Sequence, residues 1–357
     1  MTQIKLTEPI LPTRDAFMRT LTHSWRQGVL TNFGELHEEL EDKLSRRLGT
    51  PLALMANGTL ALAAALSALC DGGEAITTAF TFPATVQAIV MAGMTPVLAD
   101  IDEQTLCLDP QSVRRAVTRN TRAIVPVHVF GSVCDVQSFD TLGETYGAKI
   151  VYDAAHAFDI QKDGVSVASF GDASAFSFHA TKLFHTMEGG AAAFPRSGTA
   201  LDRARRWRNF GLQDDEVVCS GINAKMSEAA AAMGLCVLPL IDDERTARLA
   251  VAHAYEDRLG IEGIDIFTAP NAQFFAIRID PSFALRDDVY ERLLANGVTC
   301  RRYFYPALCD MPYYKNIFAP QPKAQRAAAQ CLCLPFYSGI SPEIAQGITD
   351  IVRSCKR

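Results

Sequence analysis

The sequence predicts an α/β fold in which a mainly parallel sheet is covered by helices, followed by a smaller α+β domain. Between residues 50 and 195, apolar runs alternate with segments of helical pattern. These runs are apolar on both faces, which is typical of strands buried inside a parallel sheet. With 357 residues, 48% of them hydrophobic, the chain is long enough for two domains that each bury a core.

The first part of the chain is expected to form the large sheet. Its expected elements, in order, are a helix at 59–69, a strand at 75–80, a helix at 83–93, strands at 95–101 and 123–130, a helix at 135–147 and strands at 148–155, 173–178 and 189–194. Ligands of such sheets bind beyond the carboxyl ends of the strands. The residues that follow each apolar run are therefore the candidates for a functional site.

The second part of the chain is expected to add a long helix and the smaller domain. An alanine-rich helix is predicted over 225–259, with Pro239 as a kink because proline cannot donate a backbone hydrogen bond. Further predicted elements are a strand at 274–280, a helix at 283–297, a strand-like segment at 299–306 and a last helix with Ser341 as N-cap and Pro342 at its first position. We expect a large domain at 1–244 and a small one at 245–357, packed firmly because no flexible linker separates them.

Composition and charge argue against several classes of function. The net charge is −6, from 34 basic and 40 acidic residues, and the basic cluster at 203–208 is too short to indicate nucleic acid as a partner. The ten cysteines show no CxxC spacing, so we expect free thiols and no metal site. No apolar run approaches the ~20 residues that cross a bilayer, and the N-terminal stretch lacks the apolar core of a signal peptide. We therefore expect a soluble cytoplasmic protein without membrane contact.

One lysine stands in an unusual place. In "SAFSFHATKLFHTMEGGAAAF", residues 174–194, Lys182 follows one apolar strand and precedes a Gly-Gly pair that opens another. We expect its amine to be held in a cleft between strand ends, where burial lowers the pKa of a lysine and makes it nucleophilic. Gly189 and Gly190 are expected to let the backbone pass close to a ligand.

Two other positions could share that cleft. Asn57, Gly58 and Thr59 stand at the head of a helix, where free N–H groups and the helix dipole attract phosphate; a simple turn with Thr59 as a cap is the alternative. Asp153 ends an apolar strand, although it could instead cap a following helix. A buried amine, a strand-end carboxylate and a phosphate-binding helix start are the parts that a pyridoxal phosphate (PLP) enzyme requires.

With these residues identified, the chain resembles the DegT/DnrJ/EryC1/StrS family of PLP-dependent nucleotide-sugar aminotransferases, a branch of the fold-type I aminotransferases. "SFHATK" at 177–182, followed by Glu-Gly-Gly, and "DAAHA" at 153–157 are the most specific motifs. The resemblance extends nearly end to end, through "GVLTNFGELHEELEDKLSRRLG", "NGTLAL", "FTFPATVQAIVMAGMTPVLADID", "PVHVFG", "RNFG", "GINAKMSEAAAAMGL" and "RRYFYPAL". It implies a seven-stranded, mainly parallel sheet in the large domain and a smaller C-terminal α+β domain.

The resemblance also implies the roles of individual residues. Lys182 would form a Schiff base with the aldehyde of PLP and then move a proton, and Asp153 would pair with the pyridine nitrogen, so both are expected to be catalytic. The other implied cofactor contacts are Gly58, Thr59 and Ser177 at the phosphate, Phe82 stacked on the ring, His156 near the phenolic oxygen and Asn223 at the phosphate of the other subunit. The expected substrate contacts are Thr31, Asn32, His179, Arg301 and Tyr305.

The implied reaction transfers an amino group from L-glutamate to a nucleotide-linked 4-keto-6-deoxyhexose, for example dTDP- or GDP-linked. The product would be a 4-amino sugar for surface polysaccharide (O-antigen) or glycoside synthesis. "RRYFYPAL" most resembles the 4-aminotransferases, and amination of a 3-keto sugar is the alternative. Dehydratases of the same fold have histidine at the lysine position, so Lys182 disfavours that reaction. A PLP-binding regulator without turnover is also disfavoured, because no DNA-binding domain is indicated before residue 50.

The resemblance further implies a homodimer with shared active sites. In "GINAKMSEAAAAMGL", small residues allow close approach of helices, and the polar head of the segment carries Asn223. The chain departs from many relatives at Ala224 and Lys225, where they carry tyrosine and arginine. We expect Asn223 to complete the phosphate site of the neighbouring chain.

Overall fold

The computed structural model describes residues 3–357 and confirms the predicted α/β fold. Within those residues the helices are α1 (Arg14–Gln27), α2 (Glu35–Leu48), α3 (Gly58–Leu69), α4 (Pro83–Met91), α5 (Pro110–Ala116), α6 (Val136–Tyr146), α7 (Gly198–Trp207), α8 (Glu228–Val237), α9 (Ile241–Leu259), α10 (Arg286–Ala295), α11 (Pro322–Gln330) and α12 (Pro342–Arg353). The strands are β1 (Leu52–Met55), β2 (Glu74–Thr78), β3 (Thr95–Ala99), β4 (Thr121–Ile124), β5 (Lys149–Asp153), β6 (Gln161–Lys162), β7 (Val165–Ser166), β8 (Ala173–Ser177), β9 (Gly190–Ala193), β10 (Leu212–Gln213), β11 (Glu216–Val217), β12 (Ile264–Thr268), β13 (Phe275–Ile279) and β14 (Cys331–Cys333).

Seven strands form the large sheet in the order β1, β9, β8, β5, β4, β2, β3. Strand β9 runs antiparallel to both of its neighbours, and the other pairs of this sheet are parallel. Strands β5 and β8 pair in a register that sets Asp153 opposite Ala175, so their carboxyl ends meet at one edge. Ligands of parallel sheets bind at this edge. The sheet therefore brings Asp153 close to the loop that carries Lys182.

A three-stranded antiparallel sheet of β12, β13 and β14 forms the centre of the C-terminal part. One of its faces carries Ile277 and Leu332, which pack in a core with residues of α9, α10 and α12. The other face carries Ala276 and Cys333, which belong to the same apolar core as Ile76 of the large sheet. This continuous core explains why the two parts pack firmly; the domain boundary at 244 stays a prediction.

Two expected elements in the second half of the chain are different in the structure. The long helix over 225–259 is divided, because α8 ends at Val237 and a 3₁₀ turn, Leu238–Leu240, precedes α9. Pro239 therefore separates two helices instead of bending one. The segment 299–306 is not a strand: its one β-bridge joins Arg301 to Cys333, with backbone hydrogen bonds of 3.0 and 2.8 Å, and the chain then turns.

The N-terminal segment contacts both parts of the molecule. The N–H of Ile4 donates to the carbonyl of Gly297, and the N–H of Phe336 donates to that of Leu6, each at 2.9 Å. Further along, the buried carboxylate of Glu228 in α8 accepts hydrogen bonds from the first N–H groups of α2 at 2.9 and 3.0 Å. The hydroxyl of Ser24 in α1 donates to the same carboxylate at 3.0 Å, so Glu228 caps α2 and fixes the first two helices to α8.

The basic cluster at 203–208 is directed toward carboxylates of the same chain. Arg203 lies 3.0 Å from Asp71, and Arg205 and Arg208 lie 2.7 and 2.8 Å from Glu41. All ten cysteines are free thiols. Across residues 3–357, no helix combines the length and the apolar character needed to cross a membrane.

Candidate active site

An open cavity of about 360 Å³ lies at the carboxyl edge of the large sheet. Its lining includes nine of the predicted site residues: Gly58, Thr59, Phe82, Asp153, His156, Ser177, His179, Lys182 and Arg301. These residues come from strand ends, helix starts and loops that are far apart in the sequence. The fold therefore collects most of the predicted site around one space.

The start of α3 forms one wall of the cavity. Asn57 is the N-cap, since its Oδ1 accepts the N–H of Leu60 at 2.9 Å, and Thr59 lies inside the helix and is not the cap. The N–H groups of Gly58 and Thr59 belong to the first helical turn, whose donors have no acceptor within the helix. A Cβ at Gly58 would lie 2.7 Å from the Cβ of Ser177, so only glycine lets the helix start approach the serine this closely. Backbone donors, a hydroxyl and a helix dipole together suit a phosphate group.

Gly189 and Gly190 follow the lysine loop, and the structure explains the need for glycine at these positions differently from the sequence-based expectation. A Cβ at Gly190 would lie 2.6 Å from the carbonyl of Asn57, and one at Gly189 would lie 2.0 Å from Thr186 Oγ1. Both glycines therefore allow close contact between segments of the protein itself. The expectation that they let the backbone pass close to a ligand is not supported by these contacts.

Asp153 ends β5, and two donors hold its carboxylate. The N–H of Ala155 donates to Oδ1 at 3.1 Å, and the hydroxyl of Thr85 donates to Oδ2 at 2.7 Å. The Thr81 hydroxyl lies 2.7 Å from that of Thr85, so the donors form a chain that leads to the carboxylate. Burial raises the pKa of Asp153, and these hydrogen bonds oppose the rise. Residues 154–160 form turns, so Asp153 caps no helix.

His156 is a buried, neutral ring beside the cavity. Its centroid lies 4.3 Å from that of Phe274 and 5.8 Å from that of Phe304, on which it stacks. Nδ1 accepts the N–H of Phe130 at 3.3 Å, which places the ring proton on Nε2. Burial, followed by the charge of Lys182, holds the pKa of His156 well below its usual range. At neutral pH this ring is therefore a hydrogen-bond donor through Nε2.

Lys182 lies in the loop between β8 and β9. Its backbone N–H donates to the carbonyl of His179 at 2.8 Å, and its Nζ lies 5.3 Å from the ring centroid of Phe274. Burial lowers the pKa of Lys182 to about 8; Asp153 opposes this decrease, and Arg301 adds to it. With such a pKa, about a tenth of the amines are neutral at pH 7, far more than for an ordinary lysine. The site therefore contains a nucleophilic amine next to a buried carboxylate.

Polar side chains surround the mouth of the cavity. His179 Nε2 lies 3.4 Å from Glu188 Oε1, and both side chains are about half exposed. The guanidinium of Arg301 lies 4.3 Å from the ring centroid of Tyr303 and is exposed to solvent. These groups can contact the polar parts of a substrate that is larger than the inner cavity.

The remaining four predicted site residues lie outside this cavity: Thr31, Asn32, Asn223 and Tyr305. Thr31 and Asn32 are exposed in the turn before α2, and Asn223 is exposed in the loop before α8. The ring of Tyr305 packs against the guanidinium of Arg286, with 4.6 Å between them. Within one chain, these four side chains therefore do not line the cavity that the other nine predicted residues share.

Several residues of the cavity wall were not predicted from the sequence, among them Thr81, Glu188, Tyr303 and Phe304. Glu188 follows Lys182 in the same motif, so the motif itself offered a signal. Tyr303 and Phe304 belong to the segment that was interpreted as a strand. No sequence signal links Thr81 and Thr85 to Asp153. Within residues 3–357, no group of three or more His, Cys, Asp or Glu side chains is arranged to hold a metal ion.

The fold and the cavity fit an enzyme of the aminotransferase class, because an amine of lowered pKa, a buried carboxylate and a helix start that suits a phosphate face one space, as a PLP site requires. A family model matches residues 13–353, so the chain belongs to the DegT/DnrJ/EryC1/StrS aminotransferase family. One solved structure of the same fold is Spr1654 from Streptococcus pneumoniae in its PMP form, with a TM-score of 0.91 and 24% identity over 99% of this chain and 97% of that one. The predicted family and fold are thereby confirmed.

Individual relatives are similar over nearly their whole length. The dTDP-4-amino-4,6-dideoxy-D-glucose transaminase of Shigella dysenteriae is 38% identical and covers 99% of both chains. The GDP-perosamine synthase of Vibrio cholerae is 29% identical over 92% of both chains. Among solved structures, DesI in the presence of its TDP-sugar product has a TM-score of 0.94 and 34% identity, over 99% of this chain and 93% of that one.

Proposed function

We propose that this chain transfers an amino group from L-glutamate to C4 of a nucleotide-linked 4-keto-6-deoxyhexose. The observation that carries the proposal is the cavity in which the amine of Lys182, the carboxylate of Asp153 and the start of α3 at Gly58 face one another. Support for the sugar comes from the relatives, of which the one from Shigella is named for a 4-amino-4,6-dideoxyglucose. Amination of a 3-keto sugar is the alternative within the same family.

The residues of the cavity can hold each part of the cofactor. The N–H groups of Gly58 and Thr59 and the hydroxyl of Ser177 would bind the phosphate, and Asp153 would face the ring nitrogen. Phe82 is 49% exposed at the cavity, which leaves a ring face free for stacking. When bound, PLP supplies an aldehyde that takes up amino groups and a ring that accepts electrons.

Lys182 and His156 would carry out the remaining tasks. The neutral amine of Lys182 can anchor the aldehyde and, once displaced, take the proton from Cα of the amino donor. His156 can donate a hydrogen bond through Nε2 without adding a positive charge. His156 packs against the rings of Phe274 and Phe304, and such apolar surroundings would strengthen the interaction between Lys182 and Asp153.

The groups at the mouth would bind the nucleotide sugar. His179 and Glu188 can hydrogen-bond sugar hydroxyls, and Arg301 suits a diphosphate because its planar fork matches phosphate oxygens. Tyr305, Thr31 and Asn32 are proposed as further contacts in the assembled protein. We favour a dTDP-linked sugar, since the Shigella relative and DesI are both named with thymidine nucleotides. The place of the product in O-antigen or glycoside synthesis, and the cytoplasmic location, stay predictions.

A direct assay tests this function. Purified protein is incubated with glutamate and either a dTDP- or a GDP-linked 4-keto-6-deoxyhexose, and the product is examined by NMR. We expect an amine at C4; an amine only at C3 would contradict the position but not the class of reaction. Lys182→Ala should abolish the product, whereas Ala at the exposed Lys315 should leave it unchanged. If the protein binds PLP but aminates none of the nucleotide sugars, the alternative of a PLP-binding regulator without turnover would be favoured.

We also propose a homodimer whose active sites are shared. The loop that carries Asn223 is exposed beside Phe210, Val217 and Val218, which are 47%, 71% and 49% exposed, and such apolar side chains are typical of a surface covered by another subunit. Asn223 would reach the phosphate site of the partner, since it does not reach the cavity of its own chain.

Mixing two inactive variants, Lys182→Ala and Asn223→Asp, tests the shared site. In a mixed dimer, one site carries both changes and the other carries neither, so activity should partly return after subunits exchange. No recovery, in spite of demonstrated exchange, would mean that each chain builds its site alone. Mixing Lys182→Ala with Asp153→Asn is the control, because both of these residues line the cavity of their own chain and no intact site can form.

A further inference from the structure

A buried glutamine holds the backbone on both sides of Lys182. Gln273 is 3% exposed and lies just before β13 in the C-terminal part. Its Oε1 accepts the N–H of Leu183 at 2.5 Å, and its Nε2 donates to the carbonyl of Thr181 at 3.1 Å. The side chain thus pairs with the loop as a neighbouring strand would, and Lys182 lies between the two bonds.

This arrangement requires a side chain that both donates and accepts. A carboxamide does so with two adjacent atoms, whereas a carboxylate only accepts and a thioether does neither effectively. Both loop groups are backbone atoms in a buried environment, where an unpaired N–H or C=O costs stability. Together with the bond from the N–H of Lys182 to the carbonyl of His179 at 2.8 Å, the glutamine fixes the two peptide units that flank Cα of Lys182.

The segment that carries Gln273 also contacts the opposite wall of the site. Asn271 donates through Nδ2 to the carbonyls of His156 and Phe158 at 3.0 and 3.1 Å, and its Oδ1 accepts the N–H of Gln273 at 3.3 Å. The ring of Phe274 lies 4.3 Å from that of His156 and 5.3 Å from Nζ of Lys182. One short segment of the C-terminal part therefore contacts both the lysine loop and the histidine turn.

We propose that Gln273 is a positioning residue that keeps the amine of Lys182 desolvated and directed into the cavity by fixing the peptide groups on either side of it. The importance of this position for the reaction rests on the proposed function, in which Lys182 anchors the cofactor. The alternative is that Gln273 merely satisfies two buried backbone groups, in which case its loss would lower stability without changing the amine.

The titration midpoint of the Lys182 amine can distinguish these alternatives, because a loss of stability alone would not change it. Burial lowers the pKa of Lys182 to about 8, so a looser loop that admits water should raise the titration midpoint. A rise of about one unit would reduce the neutral fraction at pH 7 about tenfold. This change is measurable in the full-length, cofactor-free chain by labelling with acetic anhydride from about pH 6 to about pH 11 and quantifying the Lys182 peptide by mass spectrometry.

Three variants separate positioning from packing. Gln273→Met removes both hydrogen bonds at similar volume, and Gln273→Glu keeps the acceptor for Leu183 but loses the donor to Thr181. Tyr255→Phe is the control, since it removes a different buried bond of the C-terminal part, from the Tyr255 hydroxyl to the carbonyl of Pro335 at 3.0 Å. Gln273→Met should lose about tenfold of the Lys182 labelling at pH 7, and Gln273→Glu should lose more, because its negative charge also stabilises the ammonium. The control should label like the parent.

An unchanged Lys182 midpoint in a folded Gln273 variant would overturn the proposal. If neither variant folds, amide hydrogen exchange is measured on the parent protein. The proposal requires slow exchange of the Leu183 N–H. Exchange at the rate of an unprotected loop would overturn the proposal. Trapping of PLP on Lys182 with borohydride tests the proposed function separately. A trapped cofactor with an unchanged midpoint would reject only the role of Gln273, and a shifted midpoint without trapping would reject only the role of Lys182.

Discussion

The hydroxyl of Thr85 offers a test of how the site controls the charge of Asp153. Thr85 is fully buried and donates to Oδ2 of the carboxylate at 2.7 Å. Thr85→Val keeps the shape of the side chain and removes this donor. Because the hydrogen bond stabilises the ionised form more than the neutral form, its loss should raise the pKa of Asp153 further.

The expected magnitude follows from the two forms of the carboxyl group. A hydrogen bond to a charged group contributes about 1.5–3 kcal/mol, and one to a neutral group about 0.5–1.5 kcal/mol. The difference of about 1–1.5 kcal/mol corresponds to about one pKa unit, at 1.36 kcal/mol per unit. The acid side of the pH profile of kcat should therefore move to higher pH by about one unit, while the activity at higher pH changes little.

The assay is the pH profile of transamination with saturating glutamate and nucleotide sugar. Thr141→Val is the matched control, because the Thr141 hydroxyl lies on the exposed face of α6 and donates to the carbonyl of Gln137 at 2.9 Å. We expect the control to follow the parent. If Thr85→Val also follows the parent on the acid side, Thr85 does not set the charge of Asp153, and the argument from the hydrogen bond fails.

Three further predictions concern the cofactor. Borohydride reduction should fix PLP to Lys182, and a label on any other lysine would contradict the assignment. Asp153→Asn should keep PLP bound and slow transamination by orders of magnitude; near-normal turnover would show that its charge is dispensable. Gly58→Ala should weaken PLP binding, measured by titration, because its Cβ would lie 2.7 Å from that of Ser177, whereas Gly198→Ala, at the equivalent position of α7 with open space around it, should bind normally.

Most of the large sheet could be predicted because each strand is indicated by the pattern of apolar residues within its own short segment. Apolar runs that alternate with helical patterns gave β2, β3, β5 and β8 within about two residues of their observed ends. Strand β1 and helices α1 and α2 were not predicted. The first turn of α2 is capped by Glu228 from α8, a contact between residues far apart in the sequence. Patterns within a short window cannot report such a contact.

The contrast between local sequence patterns and contacts of distant residues also explains which parts of the site could be predicted. Asp153 and Gly58 stand at the end and the start of an element, and Lys182 lies in the loop after β8, where the sheet rule places ligand contacts. Tyr303 and Phe304 were assigned to a strand because aromatic and apolar residues dominate that segment, yet the chain turns after its single bridge at Arg301. Contacts that depend on how a turn is folded, as here, leave no periodic signal.

Burial acts on Lys182 and Asp153, the two groups proposed to be catalytic, in the same direction, toward neutrality. The pKa of Lys182 falls from 10.5 to about 8, so its ammonium is disfavoured in the folded chain; this cost is complete below pH 8 and disappears as the pH rises toward 10.5. The pKa of Asp153 rises from 3.8, so its carboxylate is disfavoured and the cost appears as the pH increases above that value. At neutral pH the cofactor-free site therefore carries both costs at once, relieved only in part by the attraction between the two groups. A ligand that combines with the amine and places a cation against the carboxylate would remove both, so the binding of such a ligand is coupled to the stability of the fold.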